Sequence, residues 1–375
     1  MRSNNHIITC SYNSIYLLLI SIIMTSIDFG ISTKMILYPV CAILSIILFI
    51  QNNKIKRKSF LGVELAYLML IVTSLLRFTQ YTYDLLSQVI MFILAIFPFI
   101  FISKMYINIK WLNYIVIICF LISNLNRFNG LSLTPKSFLN SDIGIESPML
   151  AYIFPLFMIF WMNRNNKRMI LVNLFIIIIA GKRIALLSSI IILLMNVFNV
   201  FTRNNSKDEI KLLFSIVIIL INISYLIFSY FFALGYFDDF IYEQIGVSSN
   251  FLTQGRQSRY EYILNTLMNR NNLGMIFLFG IGLGNTNGIL EVEMGHSLRI
   301  HNDISKLFYE SGFLFFILFF ILFYKKATYI TLPYLLYVNM LYLTDNALIY
   351  VPVIFSLILF LHSEELSKEG IKVYT

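Results

Sequence analysis

The stretch His301–Tyr324 reads HNDISKLFYESGFLFFILFFILFY. Its second half, Phe313–Tyr324, is apolar all round, and with the residues from 304 the segment reaches the about 20 residues that an α-helix needs to cross the hydrocarbon layer of a bilayer. Ile15–Met24, Met35–Ile50 and Ile184–Phe201 are likewise apolar all round, with no polar stripe. That pattern belongs to helices solvated by lipid or by other helices, because a helix facing water keeps one polar face. A chain that is 58% hydrophobic and only 13% charged is not an ordinary soluble domain. The expected fold class is an all-α polytopic integral membrane protein.

Twelve spans are expected, at about 10–27, 34–50, 60–76, 86–102, 111–125, 149–162, 169–181, 184–201, 212–234, 304–324, 327–343 and 347–362. They form a single transmembrane domain over 1–375. With the N-terminus in the cytoplasm, 17 of the 28 Lys and Arg residues fall in cytoplasmic loops and 10 outside, while Lys306 lies in a span. The positive-inside rule therefore places both termini in the cytoplasm and the one long polar stretch, 235–303, outside. The net charge of +9 is a topology signal and implies no nucleic acid. Arg2 and the apolar run after it read as a retained first helix, since no small-x-small cleavage site follows Met24. Cys10, Cys41 and Cys119 have no ligand spacing and read as small apolar fillers.

The 235–303 segment holds most of the chemistry-bearing residues. Gly280-x-Gly282-x-Gly284 lacks the strand-turn-helix setting of a nucleotide fingerprint and reads as a flexible or tightly turned loop. Ser258-x-x-Glu261 has the form of a capping box. Tyr260, Ile263, Leu264, Leu267 and Met268 then recur at helical spacing, so 258–270 reads as an amphipathic helix lying on the outer membrane interface. Arg256 and Arg259 stand at its start, where free N–H groups, the helix dipole and two guanidinium forks suit a phosphate or diphosphate. Anionic headgroups are the plainer partner for the same pair. Gly181-Lys182-Arg183, a tight turn on the outer face, carries two cations against the charge bias and calls for an external anion. Arg299 is a further cation of the loop.

His301 precedes the helix 304–324, and Asp303, Lys306 and Glu310 fall on one of its faces. Glu310, about 9 Å into that helix at 1.5 Å per residue, is either functional or paired with Lys306, because an isolated charge at that depth is costly. His296 reads as an inert loop histidine. His362 is read as a cytoplasmic residue without companions, and Glu64 as a carboxylate that snorkels from a helix end.

The order of these pieces resembles the O-antigen ligase and polymerase superfamily, the integral-membrane glycosyltransferases of bacterial surface polysaccharides. The matching elements are Gly255-Arg256, Gly282-Leu283-Gly284, the turn Gly181-Lys182-Arg183, and His301-Asn302 followed by nine residues and Gly312. They cover roughly 170–325. Phe315 replaces the Thr of the ligase pattern, and Lys182 stands where a small polar residue often precedes the Arg. A Wzy-type polymerase of O-antigen or capsule is the favoured member, with the ligase as the alternative.

The resemblance implies a GT-C-like fold in the cytoplasmic membrane of a bacterium. Its donor and acceptor would be oligosaccharides linked to undecaprenyl diphosphate, and a flippase and a chain-length regulator would work beside it. It implies that Arg183, Arg256 and Arg259 neutralise the diphosphate, with Lys182, Arg299 and Asp303 as secondary candidates. His301, or in second place Glu310, would be the base. With arginines in that role the reaction needs neither metal nor cofactor. The competing class is a transporter such as a lipid-linked oligosaccharide flippase, which usually carries ionisable groups at mid-bilayer and two related halves.

Overall fold

The computed structural model describes residue 43 and residues 62–75, 82–100, 108–124, 149–198, 200, 208–253, 255–294, 300–325 and 327–368. The expected span at 10–27, that at 34–50 apart from residue 43, and the candidates His296 and Arg299 lie outside these residues. Among the described residues every regular element is a helix. In chain order these are α1 (Gly62–Leu75), α2 (Thr82–Ile100), α3 (Ile109–Ser123), α4 (Phe154–Asn163), α5 (Lys167–Ala180), α6 (Arg183–Val197) and α7 (Asp208–Ala233). Then come α8 (Asp238–Ile245), the single turn α9 (Ser249–Leu252), α10 (Arg256–Met268), α11 (Leu273–Phe279), α12 (Asn285–Met294), α13 (Asp303–Tyr324), α14 (Leu332–Thr344) and α15 (Val351–Lys368). Short 3₁₀ turns at Met149–Tyr152 and Ala347–Ile349 precede α4 and α15.

Local chemistry sets several ends. The Asn108, Asn166 and Asn302 side chains accept from Trp111, Met169 and Ser305 N–H and so start α3, α5 and α13, as N-cap asparagines do. Pro155 and Pro333 sit in the first turns of α4 and α14, where a missing N–H costs nothing. Gly181 ends α5 at φ 67°, the left-handed C-cap that glycine takes without strain.

Two helices, Leu213–Ala233 within α7 and Asp303–Tyr324, are long and apolar enough to cross a membrane. The outward face of α7 exposes Leu213, Ile216, Leu220, Ile221, Ile227 and Phe231, and α6 adds Leu187, Leu194 and Val197. Soluble monomers rarely leave apolar walls of that extent in water, which supports a membrane setting. Inside, polar pairs join distant helices. Asn222 of α7 and Asn339 of α14 exchange two amide hydrogen bonds at 3.0 Å, and the Tyr67 and Tyr342 hydroxyls meet at 2.5 Å. Such pairs hold helices together where burial of apolar surface no longer distinguishes protein from lipid.

Three expectations change. Residues 235–303, read as a long polar loop with one helix at 258–270, hold further helices among the described residues, α8, α9, α11 and α12. Helix α13 is interrupted at Gly312, with φ 76° and ψ 171°, a break that an apolar sequence run does not announce. Glu64 does not snorkel and His362 has a companion. The fully buried Glu64 carboxylate lies 2.9 Å from His362 Nε2, whose ring stacks on Phe99. Beside them Glu364 accepts from Arg164 and Tyr334 at 2.9 Å each, so α15 is tied to α1, α4 and α14 at the end remote from His301.

Candidate functional site

Helix α13 begins against the turn between α14 and α15. The Asp303 N–H donates to the Asp345 carbonyl at 3.2 Å, and Asp303 Oδ2 accepts from Leu348 N–H at 2.5 Å. These contacts hold His301, just before the cap Asn302, against Asp345 and Asn346. His301 Nδ1 lies 3.6 Å from Asp345 Oδ1 and 3.3 Å from Asn346 Nδ2. The imidazole side chain is 37% exposed and the carboxylate 16%, so the ring faces outward with an acid behind it.

Asp345 is held from several sides. The Tyr152 hydroxyl donates to Oδ2, the Tyr350 hydroxyl to Oδ1 at 3.0 Å, and the Asn346 N–H to Oδ1 at 2.8 Å. Burial alone would raise its pKa. The His301 side chain, the two hydroxyls and the backbone N–H outweigh burial and hold the carboxyl well below the ordinary carboxylate range, because donors to the charged form favour it. Asp345 is a fixed anion at neutral pH. The Tyr152 and Tyr350 rings stack at 5.9 Å, and Tyr152 O accepts from Tyr337 at 2.8 Å.

The expected cations reach the same place from other helices. Lys182 Nζ stands 6.0 Å above the Tyr152 ring. Arg256 Nη1 donates to Thr344 O at 3.4 Å, one residue before Asp345. Arg259 follows one turn along α10, and its pKa is lowered first by burial and then by the Arg256 charge. The chain thus holds two like charges side by side, an arrangement that an anion between them would relieve. Arg183, the first residue of α6, is exposed.

Helix α10 itself departs from expectation in two ways. It starts at Arg256 with Gly255 as cap, and Asn250 Oδ1 accepts the Ser258 N–H at 3.2 Å. The Ser258–Glu261 box is therefore not the start, because a side chain from the preceding turn supplies the cap. Tyr260, Ile263, Leu264 and Leu267 bury against Ala233, Ile281, Ile289 and Leu290, so the protein itself covers most of the apolar face assigned to the membrane interface. Met268 stays exposed.

Glu310 lies apart from His301, seven residues past Asp303, the first residue of α13. It is 1% exposed; the Thr286 hydroxyl donates to Oε1, and the Thr286 N–H lies 3.4 Å from the same oxygen. The expected Lys306–Glu310 pair is not in ion-pair contact. Lys306, also 1% exposed, acts on both Asp303 and Glu310 through its charge. Of the two loops expected for the glycine run, flexible or tightly turned, the second is the one seen. Gly280, Gly282 and Gly284 have positive φ, and the turn packs backbone to backbone on α13. Ile281 N–H donates to Tyr309 O at 2.9 Å and Gly282 N–H to Glu310 O at 2.8 Å.

A groove of about 480 Å³ runs between α7, α10, α11 and α13, lined by Leu226, Tyr230, Leu267, Ile276, Phe308 and Phe313 among others. Its walls are almost wholly apolar, and α10 carries both this lining and the two arginines. Among the described residues no three His, Cys, Asp or Glu side chains converge as metal ligands. Asp345, Asn346, Tyr152 and Tyr350 belong to the site and escaped the sequence reading. The polar triplet Thr344-Asp345-Asn346 between two apolar runs is the sequence signal that could have found Asp345 and Asn346. Comparison of the chain with protein-family models, with characterised proteins and with solved structures finds no match.

Proposed function

We propose that this protein is a membrane glycosyltransferase that polymerises oligosaccharide repeat units carried on a polyprenyl diphosphate, at the outer face of a bacterial cytoplasmic membrane. The observation that carries the reading is the convergence of an exposed imidazole, a fixed carboxylate and a pair of adjacent arginines at one end of an apolar helix bundle. The twelve-span arrangement with both termini cytoplasmic belongs to the same proposal.

Arg256 and Arg259 hold the donor diphosphate, and Lys182 and Arg183 extend the cationic rim. The prenyl chain leaves through the apolar groove beside α10. In this scheme the Asn346 amide turns its oxygen rather than its nitrogen toward His301 Nδ1; the Nδ1–H then faces Asn346 and the Asp345 carboxylate 3.6 Å away, which leaves Nε2 to take the proton from the acceptor hydroxyl. The hydroxyl oxygen attacks the anomeric carbon as its bond to the diphosphate breaks. The leaving diphosphate carries away the bonding pair, which the guanidinium charges stabilise. Glu310, buried against Thr286, holds the α12–α13 contact in this scheme.

A bidentate guanidinium-phosphate contact is lost on Arg→Lys even though the charge stays. Arg256→Lys and Arg259→Ala are each expected to abolish long-chain polymer while protein levels stay normal; a wild-type ladder in both demotes the arginines to lipid anchors. A ligase shares this chemistry, whereas the break at Gly312 beside buried Lys306 and Glu310 favours the carrier reading, because transporters interrupt helices at their ion sites. Lipid-linked glycans in a deletion strain separate the three. Single repeats on the outer face fit a polymerase, long chains left on the carrier fit a ligase, and repeats retained on the cytoplasmic face fit a flippase.

A further inference from the structure

We propose that residues 271–294 form a re-entrant hairpin whose first arm, α11, is immersed in the acyl chains of the leaflet on the His301 side. The inference rests on the membrane setting and is independent of the chemistry assigned to His301.

Helix α11 reads Leu-Gly-Met-Ile-Phe-Leu-Phe and buries none of its residues within the protein. Met275 is 60% exposed and Phe277 53%, with Leu273 and Leu278 exposed beside them. A helix so apolar on its outer face cannot be accounted for by water. Its depth follows from its contacts. The turn after α11 is hydrogen bonded to Tyr309 and Glu310, and Glu310 lies seven residues past the start of α13, about 10 Å along the axis. Phe277 stacks on Phe313 at 5.6 Å and meets Phe308 edge-on at 5.7 Å. Phe279 faces Phe315 at 6.4 Å. The arm therefore runs alongside the interior of a helix long enough to span, not across its mouth.

The flanking surface is of one kind. On α13 Leu314, Leu318 and Ile321 are exposed, and on α7 Ile227, Phe228 and Phe231. The apolar groove opens between these helices and α11, so the hairpin continues a wall that lipid already covers. The backbone cost of entering hydrocarbon is met as well. Irregular backbone at that depth persists only where its polar groups find partners in the protein. The helical partners of Tyr309 O and Glu310 O would be N–H groups past the break at Gly312; the turn supplies Ile281 N–H and Gly282 N–H in their stead.

The test is depth measurement on the full chain with Cys10, Cys41 and Cys119 replaced by Ser, in phosphatidylethanolamine–phosphatidylglycerol vesicles. A nitroxide is attached singly at Met275→Cys, Leu278→Cys, Ile221→Cys on α7 and Glu261→Cys on the polar face of α10. At Met275 and Leu278 collisions with oxygen are expected to exceed those with a water-soluble nickel chelate several-fold, as at Ile221, with the reverse at Glu261. Nickel access at Met275 and Leu278 equal to that at Glu261, while Ile221 stays shielded, overturns the hairpin alone. Nickel access at Ile221 too overturns it together with the membrane setting.

Discussion

His301→Ala is expected to slow polymer formation by roughly 10²- to 10⁴-fold, the contribution of a positioned general base. Cells carrying it should hold single-repeat glycans, while His296→Ala, altered in the same polar segment, keeps a measurable ladder. Asp345→Asn has the same shape as the native side chain without the charge. One of the hydrogen bonds from Tyr152 and Tyr350 persists on the remaining oxygen and the other hydroxyl can turn to accept from the new amide N–H, so the fold has little reason to change. What is lost is the anion that orients the imidazole and stabilises it once protonated. The expected result is a fall of at least 10-fold in kcat with KM nearly unchanged, because the interaction strengthens only as the proton moves. Normal chains at normal rate from His301→Ala place the base elsewhere, and a KM effect alone in Asp345→Asn leaves that carboxylate a structural part of the α13–α14 junction.

The largest stability loss is expected from Gly280→Ala and Gly312→Ala. Both residues combine positive φ with ψ near ±180°, a region that is essentially restricted to glycine. They also face each other. A Cβ on Gly280 would stand 2.4 Å from Glu310 O and 2.5 Å from Gly312 N, and one on Gly312 would stand 2.3 Å from Gly280 N. All of these neighbours are backbone, so no side chain can swing aside. Conformational strain and overpacking together should cost about 3 kcal/mol or more in either variant. Gly246→Ala is the control: its φ is 74° but nothing lies within 4 Å of the added carbon, which leaves only the left-handed penalty of about 1 kcal/mol. Thermal unfolding of the three variants in detergent ranks them, and equal midpoints for Gly246→Ala and Gly280→Ala refute the close crossing.

The helices were legible because helical period and apolar run length are local properties. The spans expected at 60–76, 169–181 and 212–234 correspond to α1, α5 and α7 within a few residues. The apolar face of α10 was legible too, but not what covers it, since Ile281, Ile289 and Leu290 come from later in the chain. The candidate site was half legible. Lys182, Arg256, His301 and Asp303 stood out as charges against an apolar background, and the structure brings them to one end. Asp345 did not, because an acid in a short inter-helix turn looks like any solvated residue until α13 is placed beside it. Gly312 was noted as a motif residue, but the break at it was invisible for the opposite reason. A lone glycine in an apolar run is tolerated inside a helix, and only the arrival of Gly280 from a different segment requires the break.

That crossing also orders events during synthesis. The donors at Ile281 and Gly282 precede the acceptors at Tyr309 and Glu310 by 28 residues, so a chain can hold the first without the second. A nascent hairpin entering hydrocarbon at that moment would carry unsatisfied N–H groups, each costing several kcal/mol. It must wait at the water boundary until α13 has been made and then enter as a finished unit. Released chains that end before residue 309 should therefore leave Met275→Cys open to water-soluble thiol reagents, whereas the full-length chain closes it.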